Sequence, residues 1–139
     1  MFETAVPLTL HLATGLGLVL VAAGIGGFTG KPGADWAEAI AELDRLPGLT
    51  LAMAFIAIVF GAGIVLVHHH WTDPLAIAVT LIGWAAFVEG LLLLAVPRLY
   101  LAFARYWTRY ARPWAAVAIL LGALLLVAGL TGRAVPVLV

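Results

Sequence analysis

Residues 49–70 read LTLAMAFIAIVFGAGIVLVHHH. No charged side chain interrupts the stretch from Leu49 to Val67, and it closes on three histidines. A helix rising 1.5 Å per residue needs about 20 apolar residues to cross a hydrocarbon core of roughly 30 Å. Backbone inside lipid must satisfy its own hydrogen bonds, so the stretch predicts a spanning helix. It lacks the period-two alternation of a membrane barrel strand.

Three more runs of the same kind flank it: Ala5–Gly27, Leu75–Val96 and Trp114–Gly132. All four are about 19–23 residues long, the span of a bilayer. The expected fold is all-α: a polytopic membrane protein, one domain over residues 1–139, with four transmembrane helices as two tandem helix pairs. Glu3 precedes the first run and no Lys or Arg does. A cleavable signal carries a positive leading region, so the first run is expected to be a retained helix.

Composition agrees. The 139 residues are 65% hydrophobic and 10% charged, against roughly 45–50% and 25% in soluble domains. A soluble fold of this size leaves too much surface in water to hide that apolar content. A soluble enzyme, a disordered tail and a nucleic-acid binder are excluded. The net charge is zero, and the lack of cysteine removes disulfides, thiolate metal sites and cysteine nucleophiles.

The fourteen charges mark the segment ends. Lys31, Asp35, Glu38, Glu42, Asp44 and Arg45 lie in the first connection, and Arg98, Arg105, Arg109 and Arg112 in the third. Glu3, Asp73 and Arg133 stand near run ends, which leaves Glu89 inside an apolar run. The Lys/Arg bias places both long connections in the cytoplasm. It puts both termini, and the short turn through Thr72-Asp73-Pro74, on the periplasmic side of a bacterial inner membrane.

The two halves, 5–70 and 75–132, resemble each other at an offset of 66 residues. Thr14, Gly17 and Gly24 match Thr80, Gly83 and Gly90; Pro47 matches Pro113 and Gly63 matches Gly129. This pattern predicts an internal repeat about a pseudo-two-fold axis along the membrane normal. Convergent placement of small residues for helix packing is the other reading. Close backbone approach packs helices in lipid, so Gly17/Gly24, Ala57/Gly61, Gly83/Gly90 and Ala118/Gly122 are the candidate contacts.

Residues 35–46 and 98–112 predict amphipathic interfacial helices. Asp35 is the expected N-cap of the first, with Glu38 as its capping-box partner. Trp36, Ile40, Leu43 and Leu46 supply its apolar stripe. In the second, Leu99, Phe103, Tyr106, Trp107 and Tyr110 share one face. Arg98, Arg105, Arg109 and Arg112 share another, where they act as topology anchors or meet lipid headgroups at roughly 1 kcal/mol each.

Glu89 is the residue most suggestive of function, because an ionisable group inside a span marks a functional position. Val19, Ala57 and Gly122 stand at its depth in the other helices, and none is polar. Three readings follow: a protonated carboxyl bonded to a backbone carbonyl, a pair with a group on another subunit, or a proton- or ion-handling carboxylate. Trp84 is expected to be packing filler near it. His68, His69, His70 and Asp73, with His11 of the first helix, could form a zinc or copper site. Axial haem ligation by His11 and His68 is another reading. Successive helical residues diverge by about 100°, which favours interfacial histidines in a polar cap instead. Asp73-Pro74 reads as the N-cap and first position of the third spanning helix.

The motif His68-x2-Trp71-x-Asp73, followed by Thr80-x2-Gly83-Trp84 and Glu89-Gly90, resembles an uncharacterised family of small bacterial integral membrane proteins. The likeness covers about residues 12–97 and implies a fold without an activity. His69 stands where that family usually has Asn, and Glu89 where Lys is frequent. A position tolerant of either charge implies a structural or partner-facing role for Glu89. The expected function is an accessory or structural subunit of a larger membrane complex, or a homo-oligomer, without catalysis or a cofactor of its own. A small metal or haem protein and a small transporter coupled through Glu89 are the alternatives. The expected partners are membrane lipids and other membrane subunits or copies of itself.

Overall fold

Proline sets where the helices begin. The computed structural model of the chain describes residues 3–4, 7–29, 31–71 and 73–134. Ala5 and Val6 of the first expected run, and Thr72 of the short turn, lie outside them. Helices α1 (Pro7–Gly26), α2 (Pro32–Arg45), α3 (Pro47–Val67), α4 (Pro74–Ala95) and α5 (Pro97–Trp107) each open on a proline. Its φ is already helical, and its missing N–H is one that the first turn leaves unpaired anyway. Helix α6 (Ala111–Thr131) instead carries Pro113 as its third residue. A proline ring crowds the carbonyl four residues earlier, here Arg109, and a 3₁₀ turn occupies Thr108–Tyr110. Pro97–Thr131 is therefore a nearly continuous helical segment, where a separate connection over 98–112 and a span over 114–132 were expected.

Among the described residues, four helical segments are long and apolar enough to cross a membrane. The fold is an all-α membrane bundle. A two-residue parallel ladder joins β1 (Glu3–Thr4) to β2 (Arg133–Ala134), in the register Glu3 to Arg133. It ties the start of α1 to the end of α6 at one end of the bundle, the histidine end. Both connections that hold the remaining basic residues lie at the other.

The caps hold one expected feature and one correction. The Asp73 side chain accepts from the Ala76 N–H at 2.8 Å, the expected N-cap of α4. Asp35 is not the N-cap of α2. Pro32 starts that helix earlier, Lys31 caps it, and the Asp35 carboxylate reaches back to the Lys31 N–H at 3.0 Å.

Helix α1 packs along α6, and α3 along α4; α1 and α4 touch more narrowly. The two close pairings match at several of their contacts. A Cβ added to Gly24 would lie 2.8 Å from the Ala115 carbonyl oxygen and 3.0 Å from the Ile119 nitrogen. One added to Gly90 would lie 2.9 Å from the Ala54 oxygen and 2.7 Å from the Ile58 nitrogen. Gly61 likewise abuts Phe87 and Gly83, while Gly122 abuts Val21 and Gly17. Helix α1 thus corresponds to α4 at the offset of 66 residues. Ala54 corresponds to Ala115, and Gly61 to Gly122, at an offset of 61.

The sequence pairing of Gly63 with Gly129 does not carry into the packing. Gly63 faces open space, whereas Gly129 lies against Thr14. The path from α4 to α6 is five residues shorter than that from α1 to α3, which shifts the second helices of the halves.

All four spans meet near the histidine end, around Leu16, Ile64, Val79 and Leu125. Toward the other end α2 and α5 pack on each other and on the bundle, where Ile40, Leu43 and Tyr100 surround Ala54, Leu93 and Leu101. Arg105 of α5 reaches Asp44 of α2 at 3.7 Å, with both side chains about half exposed (48% and 44%). Of the apolar residues expected on one face, Leu99, Phe103 and Tyr106 are the most exposed, while Trp107 is the least.

Gly61→Ala and Gly122→Ala should each lower stability by about 1–3 kcal/mol, because the added methyl meets backbone that has to shift. Gly15→Ala and Gly63→Ala meet nothing within 4 Å. They should be neutral or stabilising by up to about 1 kcal/mol, the helix cost of glycine. Thermal unfolding of the four variants in one detergent separates the two classes.

Candidate functional site

Helix α3 stops at Val67 rather than at His70. The His68 N–H still bonds to the Ile64 carbonyl at 2.7 Å, but the His68 backbone has left the helical region, with φ −145° and ψ 89°. That turn sends the imidazole between α1 and α4. The side chain is fully buried, with Nε2 2.7 Å from the Thr9 hydroxyl and Nδ1 3.1 Å from the Thr80 hydroxyl. Thr9 and Thr80 are fully buried as well.

The surrounding acceptors fix the proton arrangement. The Thr80 hydroxyl is 3.1 Å from the His70 carbonyl and 3.3 Å from that of His68, and donates to that pair. Its oxygen is then left to accept from Nδ1–H of His68, while Nε2 accepts from the Thr9 hydroxyl. A neutral imidazole with its proton on Nδ1 satisfies every group. Burial, then the nearby His70, hold His68 below its ordinary value of 6.5, against its own backbone carbonyl and Asp73. His68 is thus a three-helix clasp, one residue beyond the α3 span.

This geometry does not gather the candidate metal and haem ligands around one point. Both ring nitrogens of His68 are engaged. His11 is exposed, and its Nδ1 lies 3.1 Å from the Pro7 carbonyl. The His69 and His70 rings stack with centroids 5.6 Å apart, and the His68 and His70 centroids are 5.3 Å apart. The helix does not continue from His69 toward Asp73, so those two do not share a helical face. Among the described residues, no three His, Asp or Glu side chains gather to hold an ion. His70 Nδ1 is buried without a hydrogen-bond partner among the described residues.

Glu89 is corrected too. It lies on the exposed surface of the α4 span rather than between the helices, and Tyr100 of α5 is near enough to interact with its carboxyl. An outward carboxyl lines no path through a single bundle. Tyr100 escaped the sequence reading because only positions at equal depth in the other spans were compared. The partner comes from the next helix and reaches across Pro97. Trp84 is partly exposed and meets Phe87 edge to face, centroids 6.0 Å apart.

A second feature lies at the Lys/Arg-rich end. A groove of about 280 Å³ runs between the ends of α1 and α6 and the α2–α5 layer. Trp36, Ile40, Trp107, Trp114, Ala23 and Ala118 are among its walls. It adjoins a second groove bordered by Lys31, Arg109 and Arg112, and Thr108 and Ala111 border both. Of the arginines expected at headgroups, Arg109 and Arg112 line this groove. Arg98 lines another beside Asp44 and Thr50, and Arg105 faces Asp44. The tryptophans and Lys31 were missed as a unit because three separate elements supply them.

No family model, curated protein or solved structure matches this chain.

Thr9→Val and Thr80→Val should each destabilise by about 1–3 kcal/mol, the cost of stranding a buried polar partner. A histidine whose folded value is depressed binds its proton more readily when unfolded. Its stabilising contribution is therefore full above pH 6.5 and is lost as pH falls below it. Unfolding midpoints measured from pH 8 to pH 5 should fall for the parent protein and change less for His68→Gln, in the same units.

Proposed function

We propose that the protein is an accessory or structural subunit of a bacterial inner membrane, joined to copies of itself or to other membrane proteins, with no catalysis of its own. The observation that carries this reading is Glu89 on the outer surface of α4. An ionisable side chain within a span costs roughly 2.5–3.5 kcal/mol at the helix centre. One Tyr100 hydroxyl uses a fraction of the acceptor capacity of a carboxylate. A polar group of a neighbouring chain, seated against this face, supplies the remainder. The resemblance to small bacterial membrane proteins in which Lys is frequent at the Glu89 position fits a partner-facing role. The matched pairings α1–α6 and α3–α4 favour a duplicated helix pair over convergence.

In mild detergent the parent protein should migrate as more than one chain, or with a copurifying membrane protein, on native electrophoresis. Glu89→Leu should release the monomer, and Glu89→Gln should weaken the assembly less. A lone monomer that brings nothing with it would sink the subunit reading.

The proposed orientation has both termini in the periplasm and α2 in the cytoplasm. The chain has no cysteine, so single replacements report cleanly. Arg133→Cys should react with a membrane-impermeant maleimide in intact cells, and Glu38→Cys should react only after lysis. The reverse pattern would invert the topology.

A further inference from the structure

We propose that the paired grooves at the Lys/Arg-rich end bind one anionic phospholipid, its phosphate among Lys31, Arg109 and Arg112 and an acyl chain along Trp36, Trp107 and Trp114. The apolar part is continuous with the charged part through Thr108 and Ala111, as an amphiphile requires.

The two halves differ at the wall of the apolar groove. Leu93 of α4 is buried against Ala54 and Leu101. Its counterpart at the offset of 66 residues is Gly27, which lies against Ala115, the counterpart of Ala54. One half fills the space with its own leucine. In the other, Gly27 sits so close to Ala115 that an added Cβ would fall 2.5 Å from the Ala115 Cβ, and tryptophans from α2, α5 and α6 line the groove beside it. Trp36 and Trp114 remain about half exposed, so the groove is reachable from outside.

The charged part is equally well defined. Gly33 lets the start of α2 approach the Thr108 carbonyl, where an added Cβ would fall 3.1 Å away. That approach sets Lys31 beside Arg109 and Arg112. The nearby carboxylate, Asp35, is turned to the Lys31 backbone N–H. Arg109 is held in place, its guanidinium 4.0 Å from the Tyr106 ring centroid and its Nε 3.1 Å from the Tyr106 carbonyl. A cation braced this way on aromatic and backbone groups suits a phosphate through its remaining N–H donors.

The test uses tryptophan quenching by phospholipids brominated on the acyl chain, in nanodiscs. Trp71→Phe and Trp84→Phe form the background, so that emission comes from the three groove tryptophans. Brominated phosphatidylglycerol should quench at lower mole fraction than brominated phosphatidylcholine, by roughly tenfold for a multi-cation site. Each of Lys31→Gln, Arg109→Gln and Arg112→Gln should weaken that preference about twofold, an equal share of the tenfold. Ala104→Leu should fill the groove and reduce quenching by phosphatidylglycerol while leaving the cations in place. Excess inorganic phosphate should displace little of the lipid, because the acyl chain also binds. Equal quenching by the two lipids would overturn the proposal. So would a preference that survives removal of all three cations, or full displacement by phosphate alone. The comparison of the two lipids decides the matter even where a groove variant fails to fold, and it does not depend on the protein's self-association.

Discussion

Everything in this bundle hangs on how closely helix backbones approach where glycine faces a neighbour. In lipid no hydrophobic force separates one apolar helix from another, so attraction must come from contact itself. Gly17 with Gly122, and Gly61 with Gly83, bring backbones within the distance that a single Cβ would fill. Leucine, valine and phenylalanine elsewhere on the same helices point to the surroundings. The order usual in soluble proteins is inverted: the smallest residues form the seams and the large apolar ones form the exterior.

Much of this was legible from sequence, for identifiable reasons. Run length and the placement of charges fix the spans, because bilayer thickness and the cost of charge in lipid act on every residue. Glycine recurrence located the seams through Gly17, Gly24, Gly83 and Gly90. It misplaced the second helix of each half, because an offset taken from the first helices cannot sense a connection five residues shorter. Asp35 looked like a cap because the sequence after it is helical; Pro32 had already begun the helix. The three histidines could not be sorted, since a periodic reading assumes a continuing helix and His68 departs from it. That departure makes it a clasp with Thr9 and Thr80. Glu89 looked solitary for a similar reason: depth was counted along spans, while Tyr100 comes from the amphipathic layer.

The two halves are alike in their seams and differ at two points. Near one end, Gly129 in the second half packs against Thr14, while His68 in the first half bonds to Thr80, the counterpart of Thr14. Near the other, Leu93 is buried against Ala54 while Gly27, pressed on Ala115, lines a groove. A common packing plan thus carries one buried polar clasp and one aromatic groove, each in a single copy. Symmetry accounts for the framework, and the departures from it mark where this chain has chemistry of its own.

The distribution of helices along the axis has a mechanical consequence. Four helices converge at the histidine end, whereas six helical segments share the opposite end once α2 and α5 join the bundle. The molecule therefore has unequal cross-sections along its length. The wider end is the one that carries the amphipathic helices, so a bilayer around the four spans would meet a broader protein on that side than on the other.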